Sequence, residues 1–139
     1  MKVAIYKDDD YVFVFRHAEG SGILFDEALN KTKPKNSKYL ILDDSKLLDI
    51  DFQNAWLIGD DDLSIDMSKA KDITKERLRQ ERKPLLEAED IKFMQAQESG
   101  SDTKAIVAEK QRLRDITNQV DSCTTTDELK ALSCMEENE

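Results

Sequence analysis

The sequence predicts an α+β protein. A small α+β unit spans residues 1–66, and an antiparallel helical hairpin with a short C-terminal helix spans 67–139. Three observations carry this. Short runs of β-branched and aromatic residues, bounded by aspartate and glycine, fill the first half. From about Ser68 those runs stop and apolar residues recur at helical spacing. One Ser99-Gly100 break then divides the helical stretch in two.

Residues 2–7 (Lys-Val-Ala-Ile-Tyr-Lys) and 11–16 (Tyr-Val-Phe-Val-Phe-Arg) read as a β-hairpin turned by Asp8–Asp10. Val12, Val14 and Arg16 share one face, and Tyr11, Phe13 and Phe15 the other. Both faces are largely apolar, so further elements must cover the sheet. Gly20-Ser21-Gly22 is a flexible break, 23–31 a short helix, and 32–38 a loop. Tyr39–Leu42 is a third strand, and Leu47 and Leu48 follow in a turn or short helix. Asn54–Ile58 is a fourth strand or a packed turn, and Leu63, Ile65 and Met67 alternate as a last strand.

In the second half, Met67, Ala70, Ile73, Leu78, Leu85, Ala88 and Ile91 fall within an arc of about 140° on a straight helical wheel. Leu86, Phe93 and Met94 lie off that arc, which predicts a second buried face towards the C-terminal end. Pro84 lacks the N–H that would bond the Gln80 carbonyl, so a kink or a helix restart is expected there. Gly100 suits the C′ position, and Ser101 or Asp102 suits the cap of a second helix running to about Val120. Ile106, Leu113 and Val120 form its narrow seam, widened by Ala105, Ala108 and Ile116. Such a seam closes within one chain or between copies, so a homo-oligomer is a candidate assembly. Thr125 and Glu128 have the spacing of a capping box over a short helix at Asp127–Leu132, and 135–139 are expected to fray.

Composition narrows the function. Hydrophobic residues make up 39% and charged residues 37%, against about 45–50% and about 25% in average chains, so the core is small and the surface highly charged. No stretch approaches the ~18 apolar residues of a membrane span, and the strand-like, acidic start argues against a secretory signal. The net charge of −9 repels nucleic acid. Within 69–83 the balance inverts to +4 (Lys69, Lys71, Lys75, Arg77, Arg79, Arg82 and Lys83 against Asp72, Glu76 and Glu81). That run is either a solvated helix face or a docking surface for an acidic partner. No aromatic residue is interleaved with it for base stacking.

Few residues suggest chemistry. Cys123 and Cys134 lie eleven apart without a companion histidine, a spacing that fits reduced thiols in a cytoplasmic protein. His17 is the only histidine. The aspartate triplets at 8–10 and 60–62 lack the alternating ligands and sixth-position glycine of a calcium loop. No phosphate loop or nucleophile elbow is present, so no catalytic, cofactor or metal site is nominated. Trp56, the single tryptophan, is either a core anchor or an exposed interface anchor.

Several short segments carry a resemblance. They are Asp51–Trp56, Ile65–Lys71, Arg79–Leu86, Asp90–Met94, Lys110–Thr117 and Asp127–Leu132. In order and spacing they resemble small proteins encoded among the tail genes of tailed bacteriophages. The C-terminal half is similar to phage tail and tail-fibre assembly proteins, which share an Arg-x-x-Arg-x-x-Leu-Leu helix and a Gln-x-Leu-Arg-Asp-Ile motif. Two positions depart from that pattern: Ile91 stands where tryptophan is usual, and Thr117 where proline follows Arg-Asp-Ile. The resemblance implies a non-enzymatic protein that binds a tail or tail-fibre structural protein. It would act as a virion component or an assembly chaperone, in the virion tail or the host cytoplasm.

The candidate partner-binding residues are Trp56, Arg79, Arg82, Leu86, Phe93, Met94 and Arg114. Arg114 and Asp115 are further expected to pair with Glu81 or Arg82 and set the hairpin register. The rival readings are an acidic early phage protein that inhibits a host factor, and an enzyme.

Overall fold

A computed structural model describes residues 1–18, 20 and 22–135. Ser21, within the expected glycine break, and residues 136–139 of the expected frayed end lie outside the described residues. The chain is α+β, and it divides into two compact units, Met1–Lys69 and the remainder from Ala70.

In the first unit, β1 (Lys2–Asp8) and β2 (Tyr11–Arg16) form the expected antiparallel hairpin. Asp9 adopts φ +56° in the tight turn, a left-handed conformation that aspartate tolerates better than most residues. The strand β3 (Tyr39–Asp43) pairs antiparallel with the other edge of β1, giving the order β2-β1-β3. The helix α1 (Phe25–Thr32) lies on one face, where Leu29 and Phe25 pack on Ala4, Tyr6 and Phe15. His17 stacks on Phe15 and meets the edge of Phe25.

The opposite face of the sheet buries Val3, Ile5 and Val12 against Trp56. Leu47, Leu48, Ile58, Leu63 and Ile65 surround that cluster. Both apolar faces of the hairpin therefore find cover. Residues 50–55 wind as a 3-10 helix, so the segment around Trp56 is a helical turn followed by a strand. β4 (Trp56–Ile58) and β5 (Leu63–Ile65) make a separate two-stranded sheet. Gly59 closes their turn by donating to the Asp62 carbonyl at 2.9 Å. A Cβ on Gly59 would stand 2.8 Å from an Asp62 side-chain oxygen and 2.9 Å from that carbonyl, so a side chain does not fit. Beside β2, the Asn54 side chain accepts from the Val12 N–H (3.1 Å) and the Gln53 amide donates to its carbonyl (2.7 Å). Two side-chain amides thus occupy part of an edge that would otherwise invite another strand.

Met67 begins a helix instead of ending a strand. The Asp66 carboxylate accepts from the N–H groups of Ser68 and Lys69, and α2 runs from Met67 to Ser99. It continues across Pro84 without a restart. Its end is a Schellman motif: Gly100 (φ +72°) donates to Gln97, and Ser101 to Ala96. Asp102 accepts from the Lys104 N–H and starts α3 (Lys104–Asp115). The expected helix to Val120 tightens into a 3-10 segment over Ile116–Ser122. The short α4 (Thr126–Ala131) is capped by the Thr125 hydroxyl, which accepts from the Glu128 N–H. The Glu128 carboxylate accepts a hydrogen bond from the Thr124 hydroxyl at 3.0 Å, so only one arm of a capping box forms.

The straight-wheel arc fails in the second half of α2. Ala70 and Leu78 are buried, but Ala88 is exposed and Ile91 is 53% exposed. The inward stripe runs instead through Leu85, Glu89, Phe93 and Ala96. Residues 18 apart, such as Ala70 and Ala88, coincide on a straight wheel. A helix that follows a partner keeps a seven-residue repeat, from which a straight helix drifts by about 20° per heptad. That drift turns Ile91 outward and Phe93 inward. On α3, Ala105 and Ala108 are likewise exposed and do not widen the seam, whereas Leu113, Ile116 and Val120 are buried.

Candidate functional site

In the second unit, cations are placed at helix ends. The last carbonyls of a helix have no intrahelical partner and carry the negative end of its dipole. Lys71 donates to the carbonyl of Asp121, near the end of the 3-10 segment. Arg77 donates to the carbonyls of Leu129 (3.1 Å) and Leu132 (2.7 Å) at the end of α4. Arg82 reaches those of Leu113 (3.5 Å) and Arg114 (3.0 Å) at the end of α3. The order of these partners is antiparallel. Lys71 and Lys75 meet Asp121, Arg82 meets 113–114, and Lys110 meets Asp90 and the ring of Phe93.

The tail after α4 is strapped to the same framework. Glu81 pairs with Arg77 at 2.7 Å and accepts from the Cys134 N–H at 3.2 Å. Arg112 donates to the Cys134 carbonyl, and the Cys134 thiol donates to that of Leu78 at 3.3 Å. Both cysteines are free and buried. Burial, and then the Glu81 carboxylate, push the Cys134 thiol pKa up. The folded thiol therefore holds its proton more tightly than the unfolded one. Its contribution to stability is complete below the ordinary thiol pKa of about 8.5 and is lost as pH rises through the folded value. Melting temperature is expected to fall as pH rises above about 8.5, and to fall less steeply in Cys134→Ala.

These contacts change the reading of the basic run. Lys75 pairs with Asp121, whose pKa is lowered by that lysine, and Arg79 lies 3.5 Å from Glu76. Much of the +4 excess is thus engaged in holding the hairpin and its tail. The expected register device is also corrected. Arg114 contributes its carbonyl, not its guanidinium, while Asp115 accepts from Gln111. Arg82 carries the interaction because a guanidinium presents several donors to carbonyls that α3 leaves unpaired. Arg82→Ala is expected to cost about 1–2 kcal/mol and Arg114→Ala less than about 0.5 kcal/mol. Urea denaturation checks this, and the reverse order would remove Arg82 from the role.

Trp56 is 4% exposed and belongs to the core of the first unit, with its indole N–H donated to the Asp49 carbonyl at 3.1 Å. It is not a surface anchor, because three strand residues and the loops around it enclose the ring. The remaining candidates lie in the hairpin. Arg79 and Met94 are exposed, Met94 by 57%, and Leu86, Phe93 and Arg82 are half-buried. Met94 therefore corrects the expectation of a second buried face. On the seven-residue repeat of α2, Arg79, Arg82, Leu86 and Phe93 fall within an arc of about 50°, and Met94 lies about 100° beyond it. Arg79, Arg82 and Leu86 line a shallow cleft of about 420 Å³ with Gln80, Lys83, Glu87 and Asp90.

Val107 on α3, 50% exposed, was not singled out by the sequence pattern. Its seven-residue spacing from Arg114 was the available signal. A second cleft, lined by Glu89, Lys92, Ala105, Ile106 and Glu109, lies elsewhere along the hairpin. Among the described residues no group of three or more histidine, cysteine, aspartate or glutamate side chains is placed to hold a metal ion. Among them too, no helix is long and apolar enough to cross a membrane. Compared with known family models, curated proteins and solved structures, the chain matches none.

Proposed function

We propose that this chain is a non-enzymatic bacteriophage tail-associated protein that binds a tail or tail-fibre structural protein, as a virion component or an assembly chaperone. The resemblance of the segments between Asp51 and Leu132 to phage tail proteins supplies the context. The observation that carries a binding role is the face of the hairpin that bears Arg79, Leu86, Phe93 and Met94. It joins apolar side chains to cations within one arc of α2, with Met94 largely exposed. The rival reading, an acidic inhibitor of a host factor, needs carboxylates along one face, and the cations of α2 count against it.

Mass spectrometry of purified phage particles, set against infected-cell lysate, tests the proposal. The chain at a fixed ratio to a tail protein in the particle makes it a virion component. The chain in the lysate alone, co-purifying with an unassembled fibre, makes it a chaperone. Co-purification with a host protein, and with no tail protein in either sample, would overturn the proposal.

A further inference from the structure

We infer that the groove between α2 and α3, on the side away from the C-terminal tail, takes an acidic amphipathic helix of the partner as a third helix. The inference rests on the binding role proposed above and names the chemistry of what binds. The tail is held by Glu81 on α2 and by Arg112 on α3. On the seven-residue repeat that α2 keeps, Arg79, Leu86 and Phe93 point about 150° away from Glu81. Val107 and Arg114 point similarly away from Arg112 on α3. The tail and α4 thus leave this side of the hairpin uncovered, and it presents Leu86, Val107 and Phe93, whose ring lies beneath the Lys110 ammonium.

Charge selects the occupant. The chain as a whole carries −9. Around the groove, Asp90 is neutralised by Lys110, and Arg82 is engaged by the α3 carbonyls. Arg79 is opposed by Glu76, so Lys83 and Arg114 stand against Glu87 and the rim keeps a small positive excess. An apolar floor with a basic rim is complementary to an apolar stripe flanked by carboxylates. A second copy placed symmetrically would set the same cations against each other, which disfavours self-association here. The stretch from Arg79 to Gln97 is about 27 Å long at 1.5 Å per residue, the length of a helix of about 18 residues.

The test uses the full chain and two synthetic peptides of about 18 residues. Both carry leucine at heptad positions a and d, flanked in one by glutamate and in the other by lysine. Calorimetric titration is expected to show the glutamate peptide binding at least about tenfold more tightly, with affinity falling as salt rises. The double variant Arg79→Glu with Lys83→Glu should lose at least about tenfold of that affinity, with little change in melting temperature. Lys92→Glu, which lies in the other cleft, should lose none. Equal affinity for both peptides, no binding of the glutamate peptide near about 1 mM, or a concentration-dependent dimer that buries the groove would each overturn the inference. No phage enters this assay. A groove that takes the peptide while no tail protein is found in particle or lysate would sink the proposed function alone. The reverse outcome would sink the inference alone.

Discussion

Trp56→Ala is expected to unfold much of the first unit, at a cost of about 3–5 kcal/mol. The ring is 4% exposed and packs on Val3, Ile5 and Val12, the innermost residues of β1 and β2. Truncation removes the largest side chain of that cluster and leaves a cavity that strands on two different sheets would have to collapse to fill. It also removes the indole hydrogen bond to the Asp49 carbonyl, which keeps the Phe52 N–H as a donor. A unit of this size has little stability in reserve, so the loss is a large share of the whole. Hydrogen exchange of the β1 amides is the measurement, because the substitution removes the only tryptophan and with it the usual fluorescence signal. Trp56→Phe should cost less, since it keeps a ring in the cluster and loses mainly the hydrogen bond. If the β1 amides of Trp56→Ala kept their protection, Trp56 would be a peripheral residue and the core would lie elsewhere.

In the second unit the largest loss is expected from Leu78→Ala, at about 3 kcal/mol. Leu78 is fully buried on α2, and its carbonyl receives the Cys134 thiol. For a unit of about 70 residues that corresponds to a fall of roughly 12–24 °C in melting temperature. Leu78→Met, which nearly conserves volume, should cost less than about 1.5 kcal/mol. Ile91→Ala is the informative control. A straight wheel makes Ile91 a core residue, whereas its 53% exposure predicts a change within about 0.5 kcal/mol. Comparable losses at Leu78 and Ile91 would show that α2 keeps its straight-helix face buried and does not follow the seven-residue repeat.

The amino-acid sequence by itself determined the α+β class, the β1–β2 hairpin, the third strand, and the stop at Ser99-Gly100. These features are local. Alternation of side chains, a glycine able to adopt φ +72°, and the capping reach of Asp102 and Thr125 each depend on neighbours a few residues away. What only the tertiary structure decided depends on partners far along the chain. The wheel could not place Ile91, because the drift accumulates only once a second helix sets the repeat. The excess of positive charge over 69–83 was plain, yet its use was not. Arg77 and Arg82 bind carbonyls 52 to 55 and 31 to 32 residues away, and backbone carbonyls leave no mark in composition. The same reason separates Arg82 from Arg114. Both look like surface arginines in the sequence, and only the folded chain brings the end of one helix within reach of a guanidinium on another.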